Sequence, residues 1–159
     1  MATLPVRGHA LTITPLLLDP MVAIAAPGVV PRRRGAISAV ELAAHPLILY
    51  ERGGTIRRVI DEWLRRGGAT ARVAMDLGNG EAIKKLVAAG RGVSITPAMS
   101  IRVEVRTREL VAWPLTPLLG RRLGVIRRRD RPPSPALRVV LDGLAELAAT
   151  LERRQRARP

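Results

Sequence analysis

YERGGTIRRVIDEWLRRGGATARVAMDLGNGEAIKKLVAAGRGVSITP, residues Tyr50 to Pro97, is the stretch that decides the fold. Ile56, Val59, Ile60, Trp63 and Leu64 recur at helical spacing, so they predict an amphipathic helix with one apolar face. Thr55 is placed to cap its start, and Gly67 with Gly68 to end it. Val73, Met75 and Leu77 alternate, which predicts a strand over Arg72 to Leu77. Asn79 then caps a second helix carrying Ile83, Leu86 and Val87 and ended by Gly90, and Val93 to Thr96 returns as a strand closed by Pro97. Helices joining successive strands imply parallel pairing and an α/β class.

On the amino-terminal side, Thr3 to Val6 and Leu11 to Leu17 read as extended segments around a turn at Gly8. Met21 to Ala25 reads as a separate apolar strand stopped by Pro27 and Gly28. Ser38 and Glu41 have capping-box spacing, which predicts a short helix to about Ala44 before Pro46 breaks it, and Leu47 to Tyr50 is an apolar strand. On the carboxyl-terminal side, Leu110 to Leu115 and Leu123 to Arg127 read as strands. Ser134 and Pro135 open a final helix with Leu137, Val140, Leu141, Leu144 and Leu147 on one face, and the charged tail from Glu152 is expected to fray. The β-branched run Ile101 to Val105 favours a strand by propensity.

Bulk composition narrows the classes. A 159-residue chain that is 47% hydrophobic can bury a core, and with 2% aromatics and no Phe that core is built from Leu, Val, Ile and Ala. The longest apolar run, Met21 to Val30, is interrupted by Pro27 and Gly28, so no membrane-spanning helix or secretory signal is expected. The absence of cysteine removes disulfides and thiolate metal sites and fits a reducing, cytoplasmic setting. The net charge of +14 is carried almost wholly by arginine. It has two readings: an anionic partner, or arginines spread over solvated faces. The clusters Arg32 to Arg34, Arg127 to Arg129 and Arg153 to Arg158 are scattered and lack interleaved aromatics, which weighs against a nucleic-acid groove.

The candidate chemistry sits at two turns. Ligands of open parallel sheets bind beyond the carboxyl ends of the strands. Glu51 to Thr55 and Gly78 to Gly80 both lie there, and both open helices whose first amides and dipole favour an anion. Gly53, Gly54 and Gly80 allow close backbone approach, Thr55 and Asn79 offer a hydroxyl and an amide, Glu51 can orient a ligand group, and Thr96 ends the strand next to them. The competing reading makes Thr55 and Asn79 ordinary caps, the glycines ordinary turns, Glu51 a partner of Arg52 or Arg57, and Thr96 a strand terminus. GNGEA, residues 78–82, lacks the glycine spacing of a dinucleotide fingerprint. His45 follows Glu41 by four residues, but no third ligand is near, so no metal site is expected. Ser94 and Ser100 have no partnered base, so no catalytic residue, cofactor or enzymatic activity is expected.

The ordered series resembles the effector-binding domain of LysR-type transcriptional regulators. Besides Tyr50 to Pro97, it includes DPMVAIAAPG (19–28), which looks like the inter-lobe strand. ISAVELAAHPLILYERG (37–53) looks like the short helix and following strand, and RRLGVIRRRDRPPSPALRVVLDGL (121–144) like the last strand and helix. The resemblance runs from about Leu4 to about Leu147. It implies the two-lobe fold of type II periplasmic binding proteins and a helix rather than a strand at Ile101 to Val105. It divides the chain into residues 26–97 as one complete lobe, residues 2–25 with 98–151 as a partial first lobe, and a basic tail at 152–159. A full-length member begins with a winged helix-turn-helix, which this sequence does not show. The implied function is therefore sensing of a small, carboxylate-like anionic effector by an oligomeric regulator whose DNA contacts lie in that other domain. A stand-alone small-anion binder and a remnant of a truncated regulator are the alternative expectations.

Overall fold

The computed structural model describes residues 2–4, 8–30 and 35–156. The end of the extended segment expected over Thr3 to Val6, the Arg32 to Arg34 cluster and the last residues of the tail lie outside them. In chain order the strands and helices are β1 Ala2–Leu4, β2 Leu11–Ala25, β3 Ile37–Ser38, α1 Ala39–Ala43, β4 Leu47–Tyr50, α2 Thr55–Arg66, β5 Val73–Leu77, α3 Gly80–Ala88, β6 Ser94–Pro97, α4 Arg102–Arg106, β7 Val111–Thr116, β8 Gly120–Arg128 and α5 Pro135–Arg156. The chain forms two compact units, residues 1–19 with 121–159, and Pro20–Gly120.

In the Pro20–Gly120 unit, the second half of β2 is flanked by two antiparallel neighbours. It pairs with β6 from Met21↔Pro97 to Ile24↔Ser94, and with β7 from Val22↔Pro114 to Ala25↔Val111. β3 adds in parallel to β7. β4 and β5 form a parallel pair, as the helical connection between them requires, and a parallel bridge Leu47↔Val93 ties β4 to the approach of β6. Two apolar clusters fill this unit. One gathers Leu47, Leu49, Ile60, Trp63, Leu64, Val93 and Ile95 under α2, and the other gathers Ile24, Ile48, Ile83, Val87, Ile101 and Leu110 under α3. Alternate residues of β4 therefore serve opposite faces, Leu47 and Leu49 the first cluster and Ile48 the second, which is why this strand reads as a continuous apolar run. Trp63 buries its ring in the first cluster and satisfies its indole N–H on the Pro117 carbonyl at 2.7 Å.

In the other unit, β1 pairs antiparallel with β8, from Ala2↔Gly124 to Leu4↔Arg122. Asp19 is fully buried and accepts both Arg121 Nε, at 3.0 Å, and Nη2, at 2.9 Å, on one oxygen. α5 buries Ala148, while Leu137, Val140 and Leu147 of its apolar stripe are exposed. The helix continues to Arg156, past Glu152 where the tail was expected to fray.

Several local expectations hold. The Ser38–Glu41 capping box forms in both directions, with Glu41 N donating to Ser38 Oγ at 3.3 Å and Ser38 N donating to Glu41 Oε2 at 2.7 Å. Asn79 caps α3, accepting from Glu81 N at 2.8 Å. Others are corrected. The segments Leu11 to Leu17 and Met21 to Ala25 are one strand, β2, that runs through Pro15 and Pro20. Pro20 falls one residue before the β2–β6 ladder that starts at Met21, so that ladder needs no donor from it. Gly54, not Thr55, is the N-cap of α2, and Thr55 is the first helical residue. At Ile101 to Val105, where propensity favours a strand and the resemblance implies a helix, the chain is helical: a 3-10 turn, Ala98–Ile101, leads into α4. Only Ile101 of its apolar residues is buried, while Val103 and Val105 face outward, so β propensity finds no sheet surface to satisfy it.

Candidate functional site

The parallel pair β4–β5 delivers its two carboxyl ends side by side, with Tyr50 opposite Leu77. Each end runs into a short turn and then a helix, Glu51 to Gly54 before α2 and Gly78 to Asn79 before α3. The turns are locked to each other at the backbone, because Glu51 N donates to Leu77 O at 3.0 Å. Gly53 has φ +89°, a left-handed conformation that a side chain would resist, and it reverses the chain into α2.

Close approach explains the second turn. A Cβ on Gly78 would lie 3.1 Å from the Glu51 carboxylate, and one on Gly80 would lie 3.3 Å from the Tyr50 hydroxyl. Glycine at both positions lets the two side chains rest on the turn that starts α3. The Tyr50 hydroxyl lies 3.0 Å from Thr96 Oγ1, and Thr96 Oγ1 lies 3.2 Å from Ser100 Oγ. Ser100 Oγ donates to the Pro97 carbonyl at 2.7 Å, and a carbonyl can only accept. The proton of Ser100 is thereby used, so Thr96 donates to Ser100 and Tyr50 donates to Thr96. The chain of hydroxyls has a fixed direction.

The structure thus joins Gly80 to Thr96 through Tyr50, and Glu51 to the α3 turn through Gly78. Thr55 stands apart from this group. Its hydroxyl accepts from Arg58 Nη2 at 3.4 Å, which leaves its own proton to donate. Asn79 uses Oδ1 as the α3 cap, which leaves its Nδ2 hydrogens to donate. Gly54 accepts Arg58 N on its carbonyl at 3.1 Å. Glu81 N of α3 is taken by Asn79 Oδ1, while the other first-turn amides of α2 and α3 have no carbonyl to reach within their own helices and suit an anion. The hydroxyls bond one another and a carbonyl, so none is activated by a general base, and no group of three His, Cys, Asp or Glu side chains able to hold a metal occurs among the described residues.

Three participants were missed from the sequence. Tyr50 was read only as the end of an apolar strand, and Ser100 only as an unpartnered serine. Arg57 is 4% exposed, with Nε donating to Asp61 Oδ1 at 2.8 Å and Nη1 donating to the Tyr50 carbonyl at 2.7 Å and to Asp76. Burial alone would lower its pKa, but the hydrogen bonds to Asp61 and Asp76 outweigh that and hold it above its ordinary value. Its helical spacing to Asp61 was a visible signal, whereas the contact with Asp76 was not.

A second ion cluster secures α3. Lys84 is buried and donates to Ser100 O at 3.0 Å and to Glu104 Oε1 at 2.6 Å, with Glu81 at 2.8 Å. The hydrogen bond from Lys84 holds the Glu104 carboxyl below its ordinary value against the opposing effect of burial. For Lys84, burial alone would lower the pKa, and its bonds to Glu104 and Glu81 raise it overall.

Comparison with known proteins identifies the family of this fold. The family model described as LysR substrate binding domain matches residues 1–149. The HTH-type transcriptional regulator YeiE of Escherichia coli is 39% identical over 140 residues, which cover 87% of this chain and 47% of that protein. The RuBisCO operon transcriptional regulator of Allochromatium vinosum is 31% identical over 119 residues, covering 74% and 39%. The chain thus spans about half or less of the length of these relatives. Among solved structures, the Synechocystis CcmR regulatory domain in complex with 2-PG superimposes with a TM-score of 0.82 at 25% identity, covering 92% of this chain and 71% of that one. The effector binding domain of QuiR in complex with shikimate gives a TM-score of 0.75 at 16% identity, covering 89% and 66%, and supports the fold alone. The periplasmic-binding-protein-like architecture expected from the sequence is the one these domains share with it. The chain belongs to the LysR substrate binding domain family.

Proposed function

We propose that this chain senses a small anionic, carboxylate-like effector for a LysR-type transcriptional regulator, and that it does so without catalysing a reaction. The observation that carries the reading is the meeting of two helix-opening turns at the ends of β4 and β5, where Tyr50 links Gly80 to Thr96. First-turn amides of α2 and α3, with the Thr55 hydroxyl and the Asn79 amide, grip the anion. Gly53, Gly54 and Gly80 keep the backbone accessible, while Glu51 and Thr96 orient uncharged donor groups of the ligand. The ligand held by the CcmR domain, 2-PG, supports a small-molecule effector here.

Binding is transmitted as a population shift in a homo-oligomer, whose DNA contacts are made by a helix-turn-helix domain of the kind named in its relatives. Such a regulator works in the cytoplasm. Among the described residues no helix is long and apolar enough to cross a membrane. A thermal-shift screen of small carboxylates and phosphates against the chain tests the proposal. A responsive compound whose effect is lost in Thr55→Ala and Asn79→Ala supports it, and a responsive compound indifferent to both substitutions overturns the site.

A further inference from the structure

Beneath the two turns lies a buried cation that the ligand chemistry does not call for. Arg57 sits in the first turn of α2, and each of its bonds reaches a different element. Nη1 donates to the carbonyl of Tyr50, the last residue of β4, and to the carboxylate of Asp76, next to last in β5. Nε donates to Asp61, one turn further along α2. Tyr50 leads directly into the Glu51 turn, and Asp76 is two residues before Gly78. One guanidinium therefore fastens both strand ends and the helix start at the points from which the two turns depart. Asp76 also lies 3.6 Å from the exposed Arg52, through its other oxygen. Two arginines and two aspartates balance, so the cluster adds no net charge to the turns above it and acts through geometry.

We propose that Arg57 is the positioning residue that sets the spacing between the Glu51–Gly54 and Gly78–Asn79 turns, and that effector affinity depends on its planar, multiply bonded guanidinium rather than on its charge. The proposal rests on the reading that these turns bind an anion. A lysine keeps the charge but cannot hold three acceptors in one plane. In Arg57→Lys the turns lose their common anchor while the strands remain paired.

The test uses the full chain with sulfate as the probe, followed through the amide resonances of Gly53, Gly54, Gly78 and Gly80, together with hydrogen exchange. The expected result is that sulfate moves both sets of amides with one dissociation constant, and that Arg57→Lys weakens it by about tenfold or more. Exchange should quicken in Glu51 to Thr55 and Gly78 to Glu81 but not in the β2–β6 ladder. Arg65→Lys, the same change at an exposed position of α2, should leave both readouts as they were. Unchanged turn exchange in Arg57→Lys, or a loss of protection spread evenly over Pro20–Gly120, would overturn the positioning role. Failure of the unsubstituted chain to bind sulfate would count against the anion-binding reading instead, and the exchange pattern would still decide what Arg57 does.

Discussion

The hydroxyl of Tyr50 donates to Oγ1 of Thr96 across 3.0 Å, joining residues 46 positions apart in the chain. Its direction is dictated from the far end, where Ser100 gives its proton to the Pro97 carbonyl. The consequence is an asymmetry between two substitutions. Tyr50→Phe removes one neutral hydrogen bond and should cost about 0.5–1.5 kcal/mol. Thr96→Val strands the Tyr50 proton and removes the donor to Ser100 at a site only 1% exposed, so it should cost more, about 1–3 kcal/mol. Urea denaturation of the two variants measures this, and equal costs would mean that the hydroxyls are not ordered as described.

The Lys84–Glu104 pair predicts a pH dependence. Glu104 titrates below its usual 4.5, so its contribution is complete above that value and is lost as pH falls through the lower folded value. Lys84 titrates above its usual 10.5, so its contribution is complete below that value and is lost as pH rises through the folded one. Glu104→Gln should destabilise by about 1.5–3 kcal/mol near neutrality. The difference from the unsubstituted chain should vanish in acid, where Glu104 is protonated and as uncharged as the glutamine that replaces it, while Lys84 stays charged in both. A difference that persists in acid would assign the effect to packing.

Much of the unit that holds the site was legible in the sequence because its signals are local. The apolar spacing of Ile60, Trp63 and Leu64, the capping box at Ser38 and the cap at Asn79 each operate within one turn of chain. The continuity of β2 was not legible, since Pro20 reads as a break unless one knows that the ladder begins one residue later. The N-cap of α2 was misplaced by one residue because a threonine cap is the stronger signal, and nothing local shows that Gly53 turns the chain early. The contacts of Arg57 with Asp76 and of Tyr50 with Thr96 depend on which strands become neighbours, which periodicity alone does not specify.

The exposed seam of α5 bears on assembly. Leu137, Val140, Leu144, Leu147 and Leu151 follow one another at alternating spacings of three and four, a coiled-coil-like seam, and Val140 and Leu147 are 55% and 54% exposed. If this face joins two copies, sedimentation should show a concentration-dependent dimer that Val140→Glu with Leu147→Glu converts to monomer, with helix content retained. A chain that sediments as a monomer at every concentration would refute the pairing.

Isothermal titration calorimetry of a responsive small carboxylate against the chain and its Thr55→Ala and Asn79→Ala variants tests the central claim most directly. If an anion is held where α2 and α3 begin, each variant should lose about 1.5–3 kcal/mol of binding free energy, the cost of one hydrogen bond to a charged group. Each variant should also keep its fold, because Thr55 does not cap α2 and Asn79 caps only the exposed start of α3. Binding of undiminished affinity in both variants would contradict the account and move the effector away from these two turns.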